Sequence, residues 1–481
     1  MGWRINSPSA ILYLSRGLTV LLFAGVAWLS CLAVTRAAGA HAGRMIALSS
    51  VTYTGLLLHG HYLTSDIPVA FWMVVVFLFA QAQVKDPRAR NYVMAGLFTG
   101  VAAATKYNGL AVGLAIPVFH WVAHLGRGPL LKTLFDIRLF VALGMVAVGF
   151  VLANPYAVLS HDRFIEDFRY NYITTQVYDG QDAQDTNYGA FGLYLIQIFG
   201  PPLAVIVAAG VLASLARLRR ADAVERATVA AAAAVCLLYF VKFGGMPRLV
   251  PRFALPVAPL LLIAAAPGWA SLFKARPKLA TPIVWGVAAY GALVGLWIGH
   301  RFAADPRTAA QAWAVEHVPP DAMMESTRYS PRFFKLPDYR GQNALAPFIS
   351  GRRTVLVKAL ESDPDVAEKV KALESESEIG FFSAATLRER RPDFIAMNSL
   401  FYGRFLEPPK SDLYPQMYAY LNGLLREELG YRIVFDQQTP PAPRWVHLSG
   451  LRFVDNRMVI LKRISDPESP DHDATGGGEG P

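Results

Sequence analysis

The sequence predicts an all-α polytopic membrane domain followed by a soluble α/β domain. Three observations carry this. Hydrophobic residues make up 53% of the 481 residues and charged residues only 17%, against about 25% charged in ordinary soluble domains. The deficit is local: from Leu12 to His300 charges sit in short clusters between long apolar runs, and from Arg301 onward the composition is that of a soluble domain. The loops between the apolar runs also alternate in Lys and Arg content, as loops on opposite membrane faces do.

The apolar runs give about ten candidate spans. They are Leu12–Val34, Met45–Gly60, Asp66–Ala82, Tyr92–Thr105, Tyr107–Leu125, Leu139–Asn154, Phe191–Ala213, Thr228–Val241, Phe253–Ser271 and Leu279–Gly299. Several fall short of the about 20 residues that a straight span needs, and the two flanking Lys106 are readable as one broken or re-entrant element. The rich loops hold Arg36 and Arg44; Lys85, Arg88 and Arg90; Arg127, Lys132 and Arg138; Arg217, Arg219, Arg220 and Arg226; and Lys274, Arg276 and Lys278. The loop His59–Ser65 has no Lys or Arg, and the long loop Pro155–Ala190 has only Arg163 and Arg169. Positive-inside bias makes the rich set cytoplasmic. It places the chain in the inner (cytoplasmic) membrane, with Pro155–Ala190 and everything after His300 outside. Ten spans with an external C-terminus also put Met1 outside, against the resistance of Arg4 and Arg16.

The chain therefore divides into a membrane domain over residues 1–300, an extracytoplasmic domain over 301–465 and a polar tail over 466–481. In the second domain Arg353–Lys358, Asp393–Asn398, Tyr431–Phe435 and Met458–Leu461 read as strands, and Val366–Leu373 and Tyr414–Leu429 as helices. The tail, rich in Gly, Pro and acids, reads as disordered. The net charge of +10 would suggest nucleic acid in a soluble protein. Here much of the excess lies in loops, and no nucleic-acid motif accompanies it. Cys31 and Cys236 lie within apolar runs and read as small buried hydrophobes, neither a disulfide nor a metal pair. No cofactor is expected, and the N-terminus lacks the pattern of a cleavable signal peptide.

Four stretches carry polar residues at the edges of these runs: HGHYLTSDIPVA over His59–Ala70, GLFTGVAAATKYNG over Gly96–Gly109, NPY over Asn154–Tyr156 with Phe164 following, and RFALPVAP over Arg252–Pro259. A weaker fifth, Asp305–Pro320, opens the soluble domain. In this order they resemble the bacterial family 39 glycosyltransferases of the dolichyl-phosphate-mannose-protein mannosyltransferase type, whose relatives include the lipid A aminoarabinose transferases. The resemblance covers about residues 10–330. It implies a GT-C fold and an enzyme that moves a sugar from a polyprenyl-phosphate donor to an acceptor outside the membrane, the acceptor being a protein, lipid A or a glycan. A lipid donor needs spans around its chain and a polar site for its phosphate at the surface. In that family a first span and an acidic outer loop, which supplies the presumed catalytic base, come first. This chain opens at what corresponds to the second span (LYLSRGLTVLLFAGVAWL), so the resemblance leaves the base unassigned.

The resemblance points to particular residues, each with an ordinary explanation beside it. Asp66 opens a span, as a helix cap with Pro68 in the first turn would; the functional reading is a catalytic acid that orients the acceptor, positions a basic group or acts as base. His59 and His61 flank Gly60, as interfacial residues on a short loop would. A metal site with Asp66 is one alternative, although relatives do not generally require a metal, and contact of His61 with substrate is another. Lys106, with Tyr107, is either a snorkelling cation or a contact to the donor phosphate. Arg252 is a span-end anchor or a phosphate clamp, for which the guanidinium is the better shape, and Arg248 is a nearby second choice. Asn154, Pro155 and Tyr156 read as a helix stop, and Asp162, Glu166 and Asp167 as a solvated face. Two other functions compete: a transporter or lipid flippase, disfavoured by the lack of paired half-repeats, and a catalytically degenerate assembly protein.

Overall fold

A computed structural model describes residues 8–50, 53–62, 64–124, 126, 128–176, 186–246, 249–327, 329–331, 382–408, 410–413, 415–446, 448 and 455–464. The expected strand Arg353–Lys358, the expected helix Val366–Leu373, the polar tail and Arg248 lie outside the described residues. The chain divides into two compact units. One is Met1–Ile165 with Asp182–Gly299 and Arg444–Gly450; the other is Glu166–Gln181 with His300–Pro443 and Leu451–Pro481.

The first unit is helical. In order it holds α1 (Pro8–Ser50), α2 (Thr54–Gly60), α3 (Asp66–Ala82), α4 (Ala89–Thr105), a 3-10 segment (Tyr107–Leu114), α5 (Ala115–His124), α6 (Leu130–Leu134), α7 (Ile137–Ala153) and α8 (Tyr156–Leu159). After α9 (His161–Gln176) come α10 (Tyr188–Phe199), α11 (Pro201–Arg217), α12 (Ala223–Gly244), α13 (Ala258–Ala275) and α14 (Pro277–Ala303).

Five stretches are long and apolar enough to cross a membrane: Leu14–Met45, Leu130–Ala153, Ala223–Gly244, Pro251–Ala275 and Lys278–His317. Among the described residues α10 and α11 make a sixth only if counted as one bent span, and α3 is a shorter apolar helix. Ile137, Leu143 and Leu152 of α7 stand exposed, as side chains that face lipid would.

Three expected spans take a different form. Phe191–Ala213 is bent by 113° between α10 and α11, because Gly200 adopts φ +76° and Pro201 and Pro202 follow it. Glycine reaches that region freely, and proline starts a helix well but cannot continue one. Met45–Gly60 is divided between the end of α1, which kinks at Gly39 (φ 87°), and the seven-residue α2. Tyr107–Leu125 begins as a 3-10 turn before it becomes α5.

α13 is the centre of the unit, its apolar face buried against α1, α11 and α12. The indole Nε1 of Trp269 donates to the Ile206 carbonyl at 2.5 Å, and the Gly268 N–H donates to Ser214 Oγ at 2.8 Å. α4 and α7 approach closely through Gly96, Gly100 and Gly149. A Cβ on Gly100 would collide with the Val146 carbonyl and the Phe150 backbone nitrogen, the small-residue packing that membrane helices use.

In the second unit α15 (Pro306–His317) precedes β1 (Met324–Ser326), and α16 (Ala384–Arg390) precedes β2 (Phe394–Asn398). Next come α17 (Ser399–Leu406), α18 (Lys410–Leu413), α19 (Pro415–Leu425), β3 (Tyr431–Gln438) and β4 (Arg457–Arg463). The sheet order is β1-β2-β4-β3, with β1 parallel to β2 and the other pairs antiparallel. Successive residues of a strand face opposite sides. Ile395, Met397, Val459 and Leu461 join the core under α17 and α19, while Phe394, Ala396, Met458 and Ile460 join the core under α15. Two covered faces explain why FIAM and MVIL are unbroken apolar runs.

Candidate active site

The polar residues at the start of α3 and the end of α4 meet. Asp66 sits in the first turn of α3 after Ser65, whose side chain makes no cap hydrogen bond, and the residue is only 1% exposed. Lys106 ends α4: its N–H closes on the Ala102 carbonyl while its φ of −160° turns the chain into extended backbone. The 3-10 segment then folds back. Gly109 permits this, since a Cβ there would stand 2.5 Å from the Ala102 carbonyl oxygen and 2.7 Å from Val69 Cγ2. Tyr239 braces the segment, its hydroxyl donating to the Asn108 carbonyl at 3.0 Å.

Lys106 Nζ donates to Asp66 Oδ1 at 2.5 Å, with the carboxylate side chain 2% and the lysine side chain 22% exposed. The same ammonium lies 5.2 Å from the centroid of the Phe253 ring, a cation–π contact. Phe253 packs in turn on Phe243 with centroids 5.2 Å apart. Phe253 closes the 3-10 turn Pro251–Phe253, which presents Arg252 to the exterior. Among the described residues no carboxylate pairs with Arg252. The charges of Asp66, Lys106 and Arg252 all bear on His59. One anion and two cations leave the group with a net positive charge, a setting suited to an anionic ligand.

His59 is not a loop residue. It lies in the last turn of α2, only 6% exposed, and its Nδ1 is buried without a hydrogen-bond partner among the described residues. His61 follows the helix, half-buried, with Nδ1 2.8 Å from the Leu57 carbonyl oxygen. Among the described residues no group of three or more His, Cys, Asp or Glu is placed to hold a metal, and Cys31 and Cys236 are free thiols. Tyr107, beside Lys106, is 42% exposed. Asn154 and Pro155 separate α7 from α8, and Tyr156 and Asp162 are exposed. The sequence reading missed Phe253 and Tyr239 as supports, although Phe253 stands inside one of its four stretches.

No protein-family model matches the chain, and no curated protein does. Solved structures do. ArnT from Cupriavidus metallidurans in the apo state shares 17% identity over 95% of this chain and 84% of its own, with a TM-score of 0.51. The same protein bound to undecaprenyl phosphate aligns at 16% identity over 96% and 85%, TM-score 0.48. An Archaeoglobus fulgidus oligosaccharyltransferase, in complex with Zn and sulfate, aligns at 12% over 89% and 67%, TM-score 0.42. At such identities the likeness to apo ArnT shows the fold, and that fold is the GT-C fold implied by the four sequence stretches.

Proposed function

We propose that this chain is a membrane glycosyltransferase that moves a sugar from a polyprenyl-phosphate donor to an acceptor on the extracytoplasmic side. The observation that carries the reading is the Asp66–Lys106 pair, its carboxylate buried and its ammonium on the ring of Phe253, the chain neighbour of Arg252, in a GT-C fold. Lys106 keeps donor hydrogens beyond the one given to Asp66, and the planar fork of Arg252 suits a phosphate. Asp66 then acts by holding Lys106 toward the phosphate, the second of the three parts open to it. Tyr107, next to Lys106 in the chain, borders the site.

In the reaction an acceptor hydroxyl attacks the anomeric carbon and gives its proton to a carboxylate. The bond from that carbon to the phosphate oxygen breaks, and polyprenyl phosphate leaves with its growing negative charge against Lys106 and Arg252. Radiolabelled polyprenyl-phosphate sugars, presented to the reconstituted full chain with extracts of the membrane and cell wall, test this. Label moved to an acceptor by the parent chain and lost with Arg252→Ala supports it. Intact donor with every sugar tried, or donor translocated unchanged, returns the chain to the assembly-protein or flippase reading.

A further inference from the structure

His59 and His61 stand two residues apart, about 200° around a helix, so they do not share one direction. The structure separates them. His61 spends its Nδ1 on the Leu57 carbonyl. His59 is buried, leaves Nδ1 without a partner among the described residues, and feels the charges of Asp66, Lys106 and Arg252. Its ring also meets Tyr62 edge-on at 5.6 Å, a contact that leaves the nitrogen unserved. A buried polar atom without a partner lowers stability. Such atoms are kept where a ligand completes them, and this one stands among the charges that the donor phosphate would meet.

We infer that His59, rather than His61, is the ligand-contacting histidine of this site, its buried Nδ1 forming a hydrogen bond with an oxygen of the polyprenyl-phosphate donor. The inference rests on the donor reading above. The bond joins the ring to a charged phosphate, so its loss weakens binding about tenfold or more.

The test measures binding of undecaprenyl phosphate to the full chain in lipid nanodiscs by native mass spectrometry, together with thermal unfolding of the ligand-free protein. His59→Phe fills the space without the nitrogen. His59→Asn places a polar atom close to the position of Nδ1. The inference expects His59→Phe to bind about tenfold more weakly while melting no lower than the parent, since removing an unserved polar atom costs the empty protein nothing. It expects His59→Asn to recover most of the binding, and His61→Phe to bind as the parent does. Parent-like binding by His59→Phe overturns the inference and leaves the donor reading standing. So does a loss of binding shared by His59→Asn, or one accompanied by a lower melting temperature, which marks a packing role. A parent chain that fails to bind the lipid overturns both.

Discussion

Lys106→Met removes the cation and leaves the Asp66 carboxylate in place, with its side chain only 2% exposed. Breaking a buried pair from one side costs about 3–5 kcal/mol, because the remaining charge has lost its compensation. Asp66→Asn costs less, about 1–2 kcal/mol: the amide still accepts a hydrogen bond, and the ammonium left behind is 22% exposed and rests on the Phe253 ring. The double variant removes both charges and should recover much of the loss of Lys106→Met, as replacing a whole buried pair is often close to neutral. Thermal unfolding of the detergent-solubilised full chain, followed by tryptophan fluorescence, reads the ranking. Lys106→Met should melt lowest, by several degrees, with Asp66→Asn and the double variant between it and the parent. A Lys106→Met protein that melts with the parent, or a double variant below Lys106→Met, would refute the assignment of this pair as a buried, mutually compensating one.

The phosphate clamp makes its own prediction: Arg252→Lys should bind donor more weakly and Arg252→Ala about ten- to a hundredfold more weakly, with little change in melting temperature, and parent-like binding by Arg252→Ala returns this residue to the part of an anchor. Gly100→Val places side-chain atoms against the α7 backbone and should cost about 1–3 kcal/mol or more, seen as lost monodisperse protein on size exclusion; a normal elution profile refutes the close contact. In the second unit the Arg457 guanidinium, bonded to Asp436 at 2.8 and 2.5 Å, holds that carboxyl below the usual carboxylate value. Its contribution to stability is present above about pH 4 and lost as pH falls through the depressed value, so Asp436→Asn should flatten the acid limb of the melting profile, and an unchanged limb contradicts this. For the orientation proposed from the loop charges, a reporter active only in the cytoplasm and fused after Ser465 should be silent.

Much of this was legible in the chain because sharp changes in polarity mark real ends. Asp66–Ala82 emerges with the bounds read from the sequence, since an acid and a proline open it and glutamines close it. Asp393–Asn398 differs from β2 by one residue, its apolar run standing between polar flanks. Averaged hydropathy hid the bend within Phe191–Ala213, although the run Gly200, Pro201, Pro202 announced it. β1 was missed because three residues become a strand only through pairing with β2, a contact across some seventy positions that local pattern does not record. At the site the sequence supplied the charged residues, but which of them would touch depended on how α3 meets the break after α4. Between the two histidines the sequence reading took His61 as the substrate contact, whereas burial, which residue type does not record, sets His59 apart.

Asp66 begins one helix and Lys106 ends another. The peptide dipoles of α3 converge on Asp66 with their positive end, and those of α4 converge on Lys106 with their negative end, each favouring the charge it meets by about 0.3–1 kcal/mol. Each side chain therefore has a backbone counterpart of its own, independent of its partner. A ligand that draws Lys106 aside leaves Asp66 at the positive end of α3, which offsets only about 0.3–1 kcal/mol of the cost of the lost partner. The arrangement also has a polarity: a chain carrying lysine at 66 and aspartate at 106 would keep the mutual attraction while setting both groups against their helices.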